Sequence, residues 1–144
     1  QARPEDHISL KKQYEKIKVG ATIKSFFENI GELMFKSHLV IARAGASTIA
    51  ELTIAGRPSV LVPLPSALMN HQTLNSESLS SVGGTITMPQ QNITAKKLKI
   101  EIESLLTNKD KALAMARCSL KYSKPLAAKY LAEHVENTYE RSKN

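Results

Sequence analysis

Residues 41–51, Ile-Ala-Arg-Ala-Gly-Ala-Ser-Thr-Ile-Ala-Glu, hold the residue types best placed to do chemistry. The small residues Ala44, Gly45 and Ala46 allow a ligand close to the backbone. If a helix starts there, the free N–H groups of Ala46, Ser47 and Thr48, together with the helix dipole, form an anion site suited to phosphate. The Thr48 hydroxyl adds a donor, and Glu51, one turn on, can accept hydrogen bonds from a vicinal diol such as a ribose. The same residues, Thr48-Ile-Ala-Glu51, also match a capping box, in which both side chains only satisfy donors of their own helix. The stretch is neither a Walker loop nor a GxGxxG fingerprint.

The elements that must position this loop follow from hydrophobic period and from breakers. Leu39–Ala42 is a continuous apolar run, read as a buried strand. Thr48–Ala55 is a helix ended by Gly56, and Pro58 separates it from a strand over Ser59–Pro63. A polar loop after Pro65 leads to a helix from about Asn70 to Ser80, and Gly83-Gly84 to a strand Thr85–Met88. Helices follow from Asn92-Ile-Thr94 to Leu106, from Asn108 to about Lys121, and from Pro125 to Glu140. Upstream, a helix capped by Asp6 carries Leu10, Tyr14 and Ile17, Gly20–Phe26 reads as a strand that Val19 extends, and Asn29 caps a short helix to Lys36.

Strand, loop, helix, strand in this rhythm predicts an α/β fold with a parallel sheet covered on both faces and ligands at the carboxyl ends of its strands. The 144 residues suit one domain and are too short for two Rossmann-like halves. The final helix carries Leu126, Tyr130, Leu131, Val135 and Tyr139 on one broad face, so it must pack against this sheet or a further domain.

Composition narrows the function classes. The net charge of +7 suits an anionic partner: a nucleotide diphosphate, an anionic membrane surface or a nucleic acid. Aromatics at 5% and the lack of an RNA- or DNA-reading motif weigh against nucleic acid. No apolar run is long enough to span a bilayer, and the lone Cys118, read as a buried small hydrophobe, allows no internal disulfide. No His/Cys/Asp/Glu spacing suggests a metal, and none suggests a nucleophilic triad. His7, His38 and His134 read as structural or solvent-facing. The first residues have neither an initiator Met nor a signal pattern and read as cut from a longer chain.

Three ordered blocks carry a resemblance: residues 43–51, then Gly56-Arg-Pro-Ser-Val-Leu-Val-Pro63, then His71-Gln-Thr-Leu-Asn75. In order and spacing they resemble the C-terminal domain of the MurG family of peptidoglycan N-acetylglucosaminyltransferases, over nearly the whole chain. The resemblance implies a Rossmann-like parallel sheet with helices on both faces, forming the C-terminal half of a GT-B enzyme. It implies that residues 1–144 are a single, truncated domain for UDP-N-acetylglucosamine, with the helix at about 125–140 packing toward an absent N-terminal domain.

Under the resemblance, the backbone of Ala46 and Ser47 and the Thr48 hydroxyl hold the diphosphate and donor sugar, and Glu51 binds the ribose. Phe27 meets the uracil, largely through main-chain atoms, while His71, Gln72 and Asn75 hydrogen-bond the sugar. The implied reaction inverts the anomeric centre as it moves N-acetylglucosamine onto undecaprenyl-diphosphate-linked muramyl-pentapeptide, without a metal or other cofactor. The acceptor, lipid I, is held by the N-terminal domain, so no catalytic residue is assigned to this chain. The enzyme would work in the bacterial cytoplasm, peripheral on the inner membrane's cytoplasmic face. Ala44 stands where the family often has serine and Ser76 where alanine is common, and the family's Gly-Gly-Ser phosphate loop lies outside this chain. The competing readings are a stand-alone nucleotide-sugar-binding subunit of a split glycosyltransferase and a basic nucleic-acid-binding domain.

Overall fold

The computed structural model describes residues 1–65 and 70–141, so the polar loop expected after Pro65 lies, over residues 66–69, outside the described residues. The chain divides into two compact units, Gln1–Glu32 and Leu33–Asn144.

In the first unit, a 3-10 turn at Pro4–Asp6 runs into helix α1, His7–Lys16. Asp6 does not cap this helix with its side chain: its backbone is already helical, and its carboxylate accepts from Arg3 Nε at 3.0 Å. The expected strand from Gly20 to Phe26 is not formed. Its β-prone residues lack a ladder partner, and Ala2 N–H donating to Lys24 O at 3.0 Å is a single contact, whereas a strand needs a row of them. Helix α2, Ile30–Lys36, straddles the division; Asn29 precedes it, donating its side-chain amide to Glu32 at 3.2 Å.

The second unit is built on three parallel strands, β1 (Val40–Ala42), β2 (Ser59–Leu61) and β3 (Ile86–Thr87), in that spatial order. Val40 pairs with Ser59 and Ala42 with Leu61, and β2 continues the register with Val60 beside Ile86. Helix α3, Ala46–Ala55, connects β1 to β2, and α4, His71–Ser81, connects β2 to β3. After β3 come α5 (Ala95–Thr107), α6 (Lys109–Tyr122) and α7 (Ala127–Arg141). Thr94 and Asn108 cap α5 and α6, accepting from the N–H groups of Lys97 and Lys111.

All of β2 is buried. Val60 packs with Leu105 and Met115, which assigns α5 and α6 to one face of the sheet. Leu61 must point to the opposite face, because side chains alternate along a strand, and it too is fully buried. Both faces of the central strand are therefore covered, as the unbroken apolar run implies. Cys118 is half-buried, less enclosed than its reading as a core residue. The apolar face of α7 stays open: Leu126, Tyr130, Leu131, Val135 and Tyr139 are all exposed, so the expected packing is not made among the described residues.

The block Gly56-Arg57-Pro58 shapes the entry into β2. Gly56 ends α3 in the left-handed region (φ 58°, ψ 50°), its N–H donating to the carbonyls of Leu52 and Thr53. The Arg57 guanidinium lies 5.0 Å from the Phe35 ring centroid, and Pro58 is buried, its carbonyl accepting from Val40 N–H. A Cβ on Gly56 would sit 3.3 Å from Leu120 Cβ. Gly56→Ala is therefore expected to cost about 1–2 kcal/mol, chiefly from the positive φ, read as a lower urea midpoint with an unchanged slope.

Candidate functional site

The parallel register turns the carboxyl ends of β1, β2 and β3 to one edge of the sheet. Residues 43–45 and the chain after Leu61 leave from that edge, where open α/β sheets bind ligands. Val62 N–H donates to Ala42 O at 2.8 Å, extending the ladder to the mouth of the first loop.

Helix α3 begins at Ala46, two residues earlier than expected, with Gly45 as its N-cap in an extended conformation (φ −65°, ψ 149°). That start removes the capping-box reading of Thr48 and Glu51. Thr48 is the third helical residue and not the cap, so a capping box built on it does not exist. Gly45 has no side chain to occupy the helix end, and the first N–H used inside α3 is that of Ile49, donating to Gly45 O at 3.0 Å. The N–H groups of Ala46, Ser47 and Thr48 are thus the unused donors of an α-helix N-terminus. Ala46 and Ser47 are exposed and Thr48 half-buried. The Thr48 hydroxyl lies 3.6 Å from where a Gly45 Cβ would be, so it sits beside the bare end of the helix. Glu51 is exposed one turn further along.

The start of α4 closes on this loop. Gln72 Oε1 accepts from Ala44 N–H at 3.3 Å and from Leu64 N–H at 3.0 Å. Asn75 Nδ2 donates to Ala44 O at 3.3 Å. The partners fix both amide orientations: two N–H donors demand an oxygen, and a carbonyl demands a nitrogen. His71 is exposed beside them. Of the residues singled out in the sequence, Ala46, Ser47, Thr48, Gln72 and Asn75 therefore gather around one loop, with Glu51 on the helix that continues it. Phe27 belongs to the first unit, half-buried, with Lys24 Nζ 5.7 Å from its ring centroid.

The sequence singles out Ala44 only as a small residue of the loop, and the hold that α4 has on its peptide groups is what sequence reasoning missed. Ala44 is fully buried, and both its N–H and its C=O are held by side chains of α4. The available signal was a pair of amides, Gln72 and Asn75, three residues apart at a helix start. Among the described residues no group of three or more His, Cys, Asp or Glu could hold a metal, and no helix is long and apolar enough to cross a membrane. A groove of about 400 Å³ at the α6–α7 junction, lined by residues such as Lys124, Leu126 and Tyr130, shares no residue with this site.

A parallel α/β sheet whose strands are joined by helices, its first strand feeding a small-residue loop and a helix N-terminus, defines the Rossmann-like class of fold. The comparisons with known proteins narrow the class. Residues 1–131 match the family model of the glycosyltransferase family 28 C-terminal domain, and the chain belongs to that family. It is 42% identical over 135 residues to the UDP-N-acetylglucosamine--N-acetylmuramyl-(pentapeptide) pyrophosphoryl-undecaprenol N-acetylglucosamine transferase of Paramagnetospirillum magneticum, covering 94% of this chain and 36% of that protein. The transferase of the same name from Allorhizobium ampelinum is 41% identical over 140 residues, 97% of this chain and 38% of that one. The crystal structure of Acinetobacter baumannii MurG superposes with a TM-score of 0.84 at 25% identity, over 95% of this chain and 40% of that chain. The fold is accordingly the Rossmann-like C-terminal half of a GT-B glycosyltransferase, and the chain spans well under half the length of these relatives.

Proposed function

We propose that this chain is the donor-binding half of an inverting glycosyltransferase that moves N-acetylglucosamine from UDP-N-acetylglucosamine to undecaprenyl-diphosphate-linked muramyl-pentapeptide. The observation that carries the reading is the uncapped N-terminus of α3 at the carboxyl edge of a parallel sheet, with Glu51 one turn along it. In this reading the N–H groups of Ala46 and Ser47 and the Thr48 hydroxyl receive the diphosphate, and Glu51 receives the ribose hydroxyls. His71, Gln72 and Asn75 face the sugar. The relatives' shared name supplies the donor and acceptor.

As the glycosidic bond breaks, the UDP leaving group gathers negative charge. Fixed N–H donors at a helix N-terminus stabilise that charge where it develops, which is the task a metal performs in other transferases. The acceptor, lipid I, belongs to the N-terminal half in this reading, and so does the group that removes the acceptor proton. Residues 1–144 act as one donor-binding domain, and the enzyme works in the bacterial cytoplasm against the anionic inner face of the membrane, which the +7 charge favours.

Calorimetric titration with UDP, UDP-N-acetylglucosamine and ADP tests the reading. UDP and the sugar nucleotide are expected to bind and ADP not to. Glu51→Ala is expected to weaken both uridine ligands about tenfold or more, the worth of hydrogen bonds to a charged group. Equal affinity for ADP and UDP, or a Glu51→Ala protein that binds like the parent, would refute it.

A further inference from the structure

We infer that Gln72 and Asn75 are positioning residues that hold the anion-binding loop in register, apart from any contact they make with the sugar. The inference rests on reading the α3 N-terminus as the diphosphate site. Ala44 is the last residue before the Gly45 cap, so its peptide groups set the direction in which the N–H groups of Ala46 and Ser47 point. Those peptide groups are secured from both sides. Gln72 accepts from the Ala44 N–H and Asn75 donates to the Ala44 carbonyl, while the Ala44 side chain is fully buried. Gln72 Oε1 also takes the Leu64 N–H, tying the loop after β1 to the loop after β2 through one atom.

This arrangement divides the Gln72 amide into two functions. Its oxygen is consumed by two backbone donors, which fixes the side-chain plane. Its nitrogen, with no partner among the described residues, is thereby aimed rather than free to rotate. Asn75 is the converse: its nitrogen is spent on Ala44 and its oxygen remains. A preorganised loop binds more tightly because less ordering remains to be done when the ligand arrives. An unpinned residue 44 would leave two or three donors of the anion site to be fixed by the ligand itself.

UDP separates the two roles, because it has the diphosphate and no sugar. Gln72→Ala and Asn75→Ala are each expected to raise the Kd for UDP about three- to tenfold, the effect of losing one or two ordinary hydrogen bonds. UDP affinity left unchanged by both variants would overturn the inference, whatever happens to UDP-N-acetylglucosamine, since only sugar contacts would then be at stake. Should Gln72→Ala fail to fold, Asn75→Ala carries the same comparison.

Amide exchange followed by NMR gives a readout that needs no ligand. In the parent protein Ala44 and Leu64 N–H should exchange slowly, in Gln72→Ala about tenfold faster or more, and in Gln72→Glu slowly again, because a carboxylate keeps the acceptor. If the parent chain binds neither uridine ligand, the functional reading fails for this chain while this exchange pattern still decides the latch. Fast exchange in the parent, or equal exchange in all three proteins, would sink it.

Discussion

Ala46→Pro is expected to leave the domain folded and to weaken UDP binding about tenfold to a hundredfold. Ala46 is the first helical residue of α3, where proline's fixed φ suits the helix and its missing N–H breaks no intrahelical bond. The residue before a proline must be extended, and Gly45 already is, at φ −65° and ψ 149°. Ala46 is exposed, so the ring displaces no core side chain. The substitution thus removes one donor of the proposed anion site and places a ring methylene where the phosphate would approach. A charge-assisted hydrogen bond to an anion is worth about 1.5–3 kcal/mol, which sets the range. The thermal midpoint should stay within a degree or two, a change of a few tenths of a kcal/mol. A midpoint held constant with UDP affinity also constant would mean that the α3 N-terminus is not the anion site.

The order of elements in the second unit was legible because each is announced locally. The apolar run before Ala42 marks β1, Gly56 and Pro58 punctuate the passage from α3 to β2, and Thr94 and Asn108 cap the helices they precede. The strands are shorter than their apolar runs, since a strand extends only as far as its neighbour continues the ladder. Pairing is also why the segment from Gly20 to Phe26 misled: β-propensity describes a side chain on a pleated, half-buried surface and cannot name the partner. The start of α3 was misplaced because serine and threonine are the usual cap signals, whereas here the smaller Gly45 takes the cap position.

At the site, residue type and spacing revealed the loop but not what holds it. Small residues before a helix are a local pattern. The bonds from Gln72 to residues 44 and 64 join three separate stretches of chain, and the pair of amides at the start of α4, though visible in the sequence, does not say what it would hold. The resemblance points to Gln72 and Asn75 for their ligand; the structure adds a backbone partner for half of each amide. The broad apolar face of α7 was equally plain in the sequence, and it remains exposed among the described residues.

The far end of α4 is set by an interlock that predicts the largest change in stability. Leu79 is fully buried, and Gly84, two residues before β3, donates its N–H to the Leu79 carbonyl at 3.0 Å. A Cβ on Gly84 would lie 2.5 Å from Leu79 Cδ1 and 3.2 Å from the Leu79 carbonyl oxygen. The constraint at Gly84 is space, and it has two parts: one a side chain that can be removed, the other a backbone atom that cannot. Gly84→Ala alone is expected to cost about 1–3 kcal/mol as overpacking, and Leu79→Ala about 2–5 kcal/mol as a lost apolar side chain plus a cavity. In the double variant the new methyl occupies part of that cavity, so the total should fall short of the sum by about 1 kcal/mol or more. The shortfall cannot be complete, because the carbonyl contact persists when Leu79 is truncated. Urea midpoints of the four proteins measure the coupling. Strict additivity would mean that the hairpin of chain from Leu79 to Gly84 yields to an added methyl without disturbing the leucine, and that the closeness of Gly84 does not set how α4 meets β3.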